Sequence, residues 1–279
     1  MYGIKFSSND IIGYSRSQVA NLAMSRNIGA ASVGLYNKAD SLVSIPYSTI
    51  SGSLYEALLR GLAKVQDDIP ETQRLYLRGI ALLIVYTLPV YVGMAWLAEP
   101  FIRGVYGEKW AAAATPLAIL ATSGLFTCIG HPAGAVLAAQ NMLGRELVVQ
   151  GTSLVTTVLG IVIGMQWGMT GIAIGIVVAR GIAAAHVTML VRQRLPLRMS
   201  DITSAIGPGA GLSLLLLLAL RVVDSLLPPG MARDLPLLYI VVAASAGGLA
   251  YGVAFLFAPI PSLAGESARW RRVLRIERA

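Results

Sequence analysis

Eight stretches of this 279-residue chain are long and apolar enough to cross a bilayer, and that limits what it can fold into. The hydrocarbon core of a bilayer is about 30 Å thick, so a spanning helix needs roughly 20 mostly apolar residues. Residues 7–28, 31–58, 75–97, 111–139, 146–166, 170–191, 205–223 and 236–258 answer to that description, the first being polar for its kind. Backbone polar groups in lipid must be paired inside their own segment or in a closed barrel. The predicted class is therefore all-α, a polytopic transmembrane helix bundle. Composition agrees: 56% of residues are hydrophobic and 13% charged, where a soluble domain carries about 25% charge.

The loops predict an orientation. Arg60, Lys64, Arg74 and Arg78 fall between the second and third spans, Arg145 between the fourth and fifth, and Arg192, Arg194 and Arg198 between the sixth and seventh. The alternate loops are poorer, with Arg103, Lys109, Arg221 and Arg233 near them. Lys/Arg-rich loops stay cytoplasmic, which places both termini inside. The tail 266-ESARWRRVLRIERA-279 reads either as an amphipathic helix on anionic headgroups or as a solvated topology anchor. The net charge of +8 lies in short loops and this tail, so it does not point to nucleic acid.

Several chemistries drop out. The one cysteine, Cys128, lies in an apolar segment and reads as a small buried hydrophobe. Two distant histidines and no carboxylate cluster predict no metal site, and no cofactor motif is present. P-loop, GxSxG and HExxH patterns are missing, and no loop is long enough for a catalytic domain, so an enzyme is not predicted. What remains is packing and polarity within the membrane. The stretches 160-GIVIG-164, 171-GIAIG-175 and 248-GLAYG-252 have the small-xxx-small spacing that lets helix backbones approach. Pro46, Pro89 and Pro132 fall inside spans and predict bends, static or functional.

A charge at the centre of a membrane helix costs roughly 2.5–3.5 kcal/mol, so such residues face a bundle interior or a wet cavity. In the first span Asp10, Tyr14, Ser17 and Asn21 recur at helical spacing on one face, with Arg16 beside them. Arg26, Lys38 and Asp40 sit near the outer end of the first two spans, and Arg180 lies deep in the sixth. Each is read either as half of a structural ion pair, such as Arg16 with Asp10 or Asp40, or as part of a cationic lumen. His131, before Pro132, reads as a satisfied core histidine ahead of a proton relay, and His186 lies nearer the cytoplasmic end.

The segment 29-GAASVGLYNKADSLVSIPYSTISGSLYEALLRGLAKVQDD-68, with 97-LAEPFIRGVYGEKWAAAATPLAIL-120, 166-QWGMTGIAIG-175 and 14-YSRSQVANL-22, resembles the polysaccharide biosynthesis flippases, the Wzx-type and colanic-acid-exporter-like members of the MOP superfamily. The resemblance is diffuse and covers nearly the whole chain except the tail. It implies a flippase that moves lipid-linked oligosaccharide, on undecaprenyl diphosphate, to the outer leaflet of the bacterial inner membrane for O-antigen, capsule or exopolysaccharide assembly. It further implies a division into residues 1–198, a second six-helix bundle, 199–262, two added helices, and 263–279, a basic tail. Such transporters have two similar bundles, so the implied partners are the first bundle or a second protomer, membrane lipids and glycan polymerase machinery. On this view Arg16, Arg26, Lys38 and Arg180 attract diphosphate or acidic sugar, Tyr14 and Asn21 bond sugar hydroxyls, and Asp10 and Asp40 serve ion coupling. A multidrug-type cation antiporter of the same superfamily is the main alternative and predicts an acidic cavity. A membrane glycan polymerase or ligase is the other, and predicts a long outer loop.

Overall fold

The computed structural model describes residues 21–22, 24–27 and 29–276. Most of the first predicted span, with Asp10, Tyr14 and Arg16, lies outside them. Among the described residues all regular structure is helical. In chain order the α-helices of eight residues or more are α1 (Ala30–Pro46), α2 (Gly52–Lys64), α3 (Ile69–Trp96), α4 (Ala114–Ala121), α5 (Gly124–Ala139), α6 (Leu143–Gly164), α7 (Gly168–Arg192), α8 (Met199–Leu226), α9 (Pro236–Phe257) and α10 (Ala264–Val273). The chain is an all-α polytopic bundle, as its sequence predicts.

Four helical runs among the described residues have membrane-spanning length and apolarity: Ile69–Trp96, Gly144–Arg192, Met199–Leu226 and Pro236–Phe257. A fifth is the bent pair of Glu108–Ala121 with Gly124–Ala139, which turns by 46°. The run Gly144–Arg192 has 49 residues. As one straight helix it would reach about 74 Å, more than twice the hydrocarbon core. It folds back instead at Gly168, whose φ of 63° and ψ of −151° suit glycine. The two arms, α6 and α7, then pack backbone to backbone. A Cβ on Gly160 would stand 2.6 Å from the Gly175 carbonyl oxygen, and one on Gly164 would stand 2.4 Å from that of Gly171. The two small-xxx-small motifs are thus halves of one contact. The third motif is not a contact: Gly248 and Gly252 have nothing within 4 Å, and it is Gly247 that packs, against Leu216 and Leu220 of α8.

The second predicted span, 31–58, is not one regular helix. α1 ends at Pro46, a wide π-helical turn covers Tyr47–Ser51, and α2 continues to Lys64. The proline has no N–H to give, so the ladder is interrupted there. Ser48 Oγ donates to Ile45 O at 3.1 Å, and Thr49 Oγ1 donates to the same carbonyl. Pro89 and Pro132 lie within α3 and α5, but the 46° bend of the fourth span falls at Thr122–Ser123, between α4 and α5. α3 starts cleanly: Asp68 caps it by accepting from Glu71 N at 3.0 Å, and Pro70 occupies the first turn.

Two large apolar cores and two smaller ones hold the bundle among the described residues. One large core joins Tyr36, Leu42, Leu117, Leu120, Ile161 and Ile172, and the second joins Leu62, Tyr76, Ile80, Leu137, Val191 and Ile202. α8 lies along α3, closely enough that a Cβ on Gly209 would stand 2.6 Å from Ile84 Cγ2. α9 covers α8, and Tyr251 OH donates to Val85 O of α3 at 2.6 Å. The outer faces of α8 and α9 expose Leu214, Leu218, Val222, Leu238, Val241 and Leu249. Apolar surface on that scale belongs in lipid.

Candidate functional site

Between the two large cores, α1, α5, α6 and α7 leave a cleft of about 550 Å³. Most of its lining comes from regular helix, and two irregular places in the fold bear on it. Tyr47 sits in the π-helical turn after Pro46, and Ser123 sits at the bend between α4 and α5. Irregular backbone at membrane depth survives where it is buried in protein or lines a cavity.

Arg180, midway along the 25-residue α7, is held from both directions. Its Nη2 donates to Asp40 Oδ1 of α1 at 2.7 Å and its Nη1 donates to Ser123 Oγ at 2.8 Å. Ser123 Oγ in turn donates a hydrogen bond to Leu120 O at 2.6 Å. The bend therefore supplies a hydroxyl at the point where the guanidinium needs an acceptor. Both Arg180 and Asp40 line the cleft. Of the two alternatives for Arg180, the ion pair is formed, with Asp40 as its partner.

Below this pair the cleft is aromatic and polar. The His131 ring meets Tyr47 edge to face, centroids 4.3 Å apart and 76° between planes, and meets Tyr55 at 5.8 Å and 64°. The ring is packed in the core as expected, and its Nδ1 is buried with no hydrogen-bond partner among the described residues. Tyr91 and Phe126 add further rings, and Glu146, Gln150 and Ser153 line the α6 wall. Tyr91 is held in place by the close approach of Gly124, where a Cβ would overlap Tyr91 Cδ2 at 2.1 Å.

Other sequence candidates lie elsewhere. Lys38 does not line the cleft; its Nζ sits 4.0 Å above the Tyr106 ring and 6.0 Å from that of Trp110, an arrangement that satisfies the charge by cation–π attraction. Asn21 and Arg26 are helical and not among the cleft residues, and Arg26 is exposed. Asp10, Tyr14 and Arg16 lie outside the described residues. The described lining thus carries two carboxylates, Asp40 and Glu146, against one guanidinium, Arg180, so the predicted cationic lumen is not formed by these residues. Sequence reasoning missed Glu146, Gln150 and Ser153. Yet they recur at i, i+4 and i+7, the same helical stripe that drew attention to the first span. Among the described residues no three of His, Cys, Asp or Glu converge as a metal site.

A bundle of lipid-facing helices around a polar cleft at membrane depth is that of a multi-pass membrane protein. Comparison with known proteins narrows the class. Residues 1–115 match the family described as polysaccharide biosynthesis protein. The chain is similar to the lipopolysaccharide biosynthesis protein WzxC of Escherichia coli (strain K12), 26% identical over 139 residues, 50% of this chain and 28% of that protein. It is similar to the teichuronic acid biosynthesis protein TuaB of Bacillus subtilis (strain 168), 28% identical over 133 residues, 48% of this chain and 28% of that one. The succinoglycan biosynthesis transport protein ExoT of Rhizobium meliloti (strain 1021) is 25% identical over 115 residues, 41% of this chain and 23% of its own. The chain is thus similar, at modest identity, to polysaccharide biosynthesis and transport proteins, and the matched segments span about a quarter of those relatives' length.

Proposed function

We propose that the protein takes part in moving a lipid-linked saccharide, carried on undecaprenyl diphosphate, across the bacterial inner membrane, as a flippase rather than an enzyme. The observation that carries this reading is Arg180, a guanidinium held at membrane depth in a cleft walled by Tyr47, Tyr55 and Phe126. The guanidinium suits an anionic group in transit. Aromatic faces suit sugar rings, and Gln150 and Ser153 suit hydroxyls. Names of relatives that include polysaccharide biosynthesis and transport support the same assignment. On this reading the cleft is one wall of a lumen completed by a second helix bundle or a second protomer, and both termini are cytoplasmic.

Deleting the gene tests this directly. The expected result is a build-up of undecaprenyl-linked saccharide on the cytoplasmic leaflet with loss of surface polysaccharide. Unchanged lipid-linked pools together with an intact surface glycan would sink the reading. The pair of cleft carboxylates, Asp40 and Glu146, favours one competitor, a cation-coupled antiporter. Efflux of cationic dyes by the protein, with no glycan phenotype, is the result that would select it.

A further inference from the structure

The basic tail does not lie free on a surface. After α9 the chain turns through Pro261–Leu263, and Leu263 is buried beside Val85, Leu212 and Phe255. α10 is then clasped to α3. Glu266 Oε1 accepts from Arg78 Nη2 at 3.1 Å and Oε2 accepts from Tyr86 OH at 3.4 Å, with Arg269 Nη1 3.9 Å away. Trp270 Nε1 donates to Tyr86 OH at 2.7 Å, and Arg271 Nη1 donates to Leu256 O at 3.1 Å. The clasp holds α10 away from α2, and a trough of about 500 Å³ opens between α2, α3 and α10. Leu54, Leu58, Leu75 and Leu82 form its floor, and Arg78, Arg269 and Trp270 stand at its rim.

The trough joins two chemistries that one molecule class combines. Its floor is aliphatic. Its rim carries two guanidiniums against one carboxylate, and the helix that builds the rim adds Arg271 and Arg272. The level in the membrane follows from α3: Arg78 is the last charge before the apolar run 79–97, so it stands where the helix enters the hydrocarbon. An acyl chain with a phosphate at its head matches the aliphatic floor and cationic rim in order and in charge.

We propose that this trough is a binding site for an anionic phospholipid of the bilayer, one acyl chain over Leu54, Leu58 and Leu82 and the phosphate on the exposed sides of Arg78 and Arg269, beside the Glu266 carboxylate that already lies between them. The site is separate from the cleft and does not depend on what the cleft transports. Anionic headgroups gain roughly 1 kcal/mol per nearby Lys or Arg, so losing both arginines weakens binding by roughly tenfold or more.

The test is native mass spectrometry of the full chain in detergent, supplied with equal dioleoyl phosphatidylglycerol and dioleoyl phosphatidylcholine. Phosphatidylglycerol adducts should dominate. Arg78→Gln with Arg269→Gln should abolish the preference, while Arg221→Gln with Arg233→Gln, near the opposite end of α8 and α9, should keep it. Ala57→Trp fills the trough with both charges in place and should also remove the adduct. Arg78→Lys with Arg269→Lys should retain it, because a phosphate accepts a point charge; this pair and Ala57→Trp decide the matter if the glutamine pair does not fold. No preference in the parent protein, or a preference that survives the glutamine pair, overturns the site. Binding that survives Ala57→Trp reduces it to surface attraction, and overturns the trough. Undecaprenyl phosphate displacing phosphatidylglycerol at a tenth of its concentration would show that the trough belongs to the polyprenyl carrier instead.

Discussion

Arg180 is bound by two acceptors of different kinds, and this sets what a substitution there costs. Its side chain is 35% exposed and that of Asp40 is 42% exposed, so cleft water reaches the pair. A wet pair is worth about 1 kcal/mol, where breaking a dry one costs roughly 3–5 kcal/mol. Arg180→Gln should therefore leave the protein inserted and its thermal midpoint in detergent within a few degrees of the parent's. Export of surface glycan should nevertheless fall by about tenfold, the scale of one charge-assisted contact. Arg180→Lys should not restore it, since an ammonium cannot reproduce the planar fork that reaches Asp40 and Ser123 together. Full export in the lysine variant would mean that only the charge matters, and the geometry reported above would then be incidental. The presence of Arg180 at depth is legible in the sequence as an intramembrane charge. Its second partner is not, because nothing in 111-AAAATPLAILATSGLF-126 marks Ser123 as the point where the span bends. Lys38 was misplaced for a related reason: the rings that receive its charge are about 70 residues away along the chain, and helix periodicity sees only its own segment.

At the scale of elements, glycines separate what sequence spacing can and cannot say. The motifs in α6 and α7 are legible because a hairpin with a three-residue turn aligns them automatically, Gly160 with Gly175 and Gly164 with Gly171. Gly171→Ala puts a methyl 2.2 Å from the Gly164 carbonyl oxygen and should cost about 1–3 kcal/mol, the usual range for overpacking. The readout is a lowered thermal midpoint of the purified protein. Gly248→Ala, with nothing within 4 Å, should be neutral or stabilising by up to about 1 kcal/mol, because alanine is the better helix former. Equal losses at both positions would show that the α6–α7 contact is not the tight one. The motif in α9 was misread by one residue. That helix is apolar all round, with Val241, Leu249 and Val253 exposed, so no polar stripe marks which face meets α8. Spacing tells which residues permit close approach; only a neighbour decides which of them use it.

For the whole molecule, the distribution of charge over the two ends makes a prediction that the contacts sharpen. At one end Arg145 of α6 reaches Gln193 after α7 at 3.2 Å, and Arg78 of α3 reaches Glu266 of α10 at 3.1 Å. At the other, Arg103 bonds Glu99 at 3.2 Å and pairs with Glu108, while Arg233 stands 3.7 Å from Glu99. The Lys/Arg-rich loops are thus joined to one another, and the acidic groups Glu99 and Glu108 offset the sparser cations opposite. Basic loops remain on the cytoplasmic side during insertion. Cys128 is fully buried, so the parent chain should resist a membrane-impermeant maleimide. In a Cys128→Ala background, single cysteines at exposed Lys109 and Pro229 should label in intact cells, and those at exposed Asp67 and Arg194 only after lysis. The reverse pattern would invert the molecule and move the phospholipid trough to the outer leaflet. A mixed pattern within either pair would break the alternation itself, and with it the assignment of α6 and α7 as two crossings of one hairpin. The expected pattern places the α10 clasp and the trough at the cytoplasmic interface, where anionic lipid is available to them and where a lipid-linked saccharide would first meet the bundle.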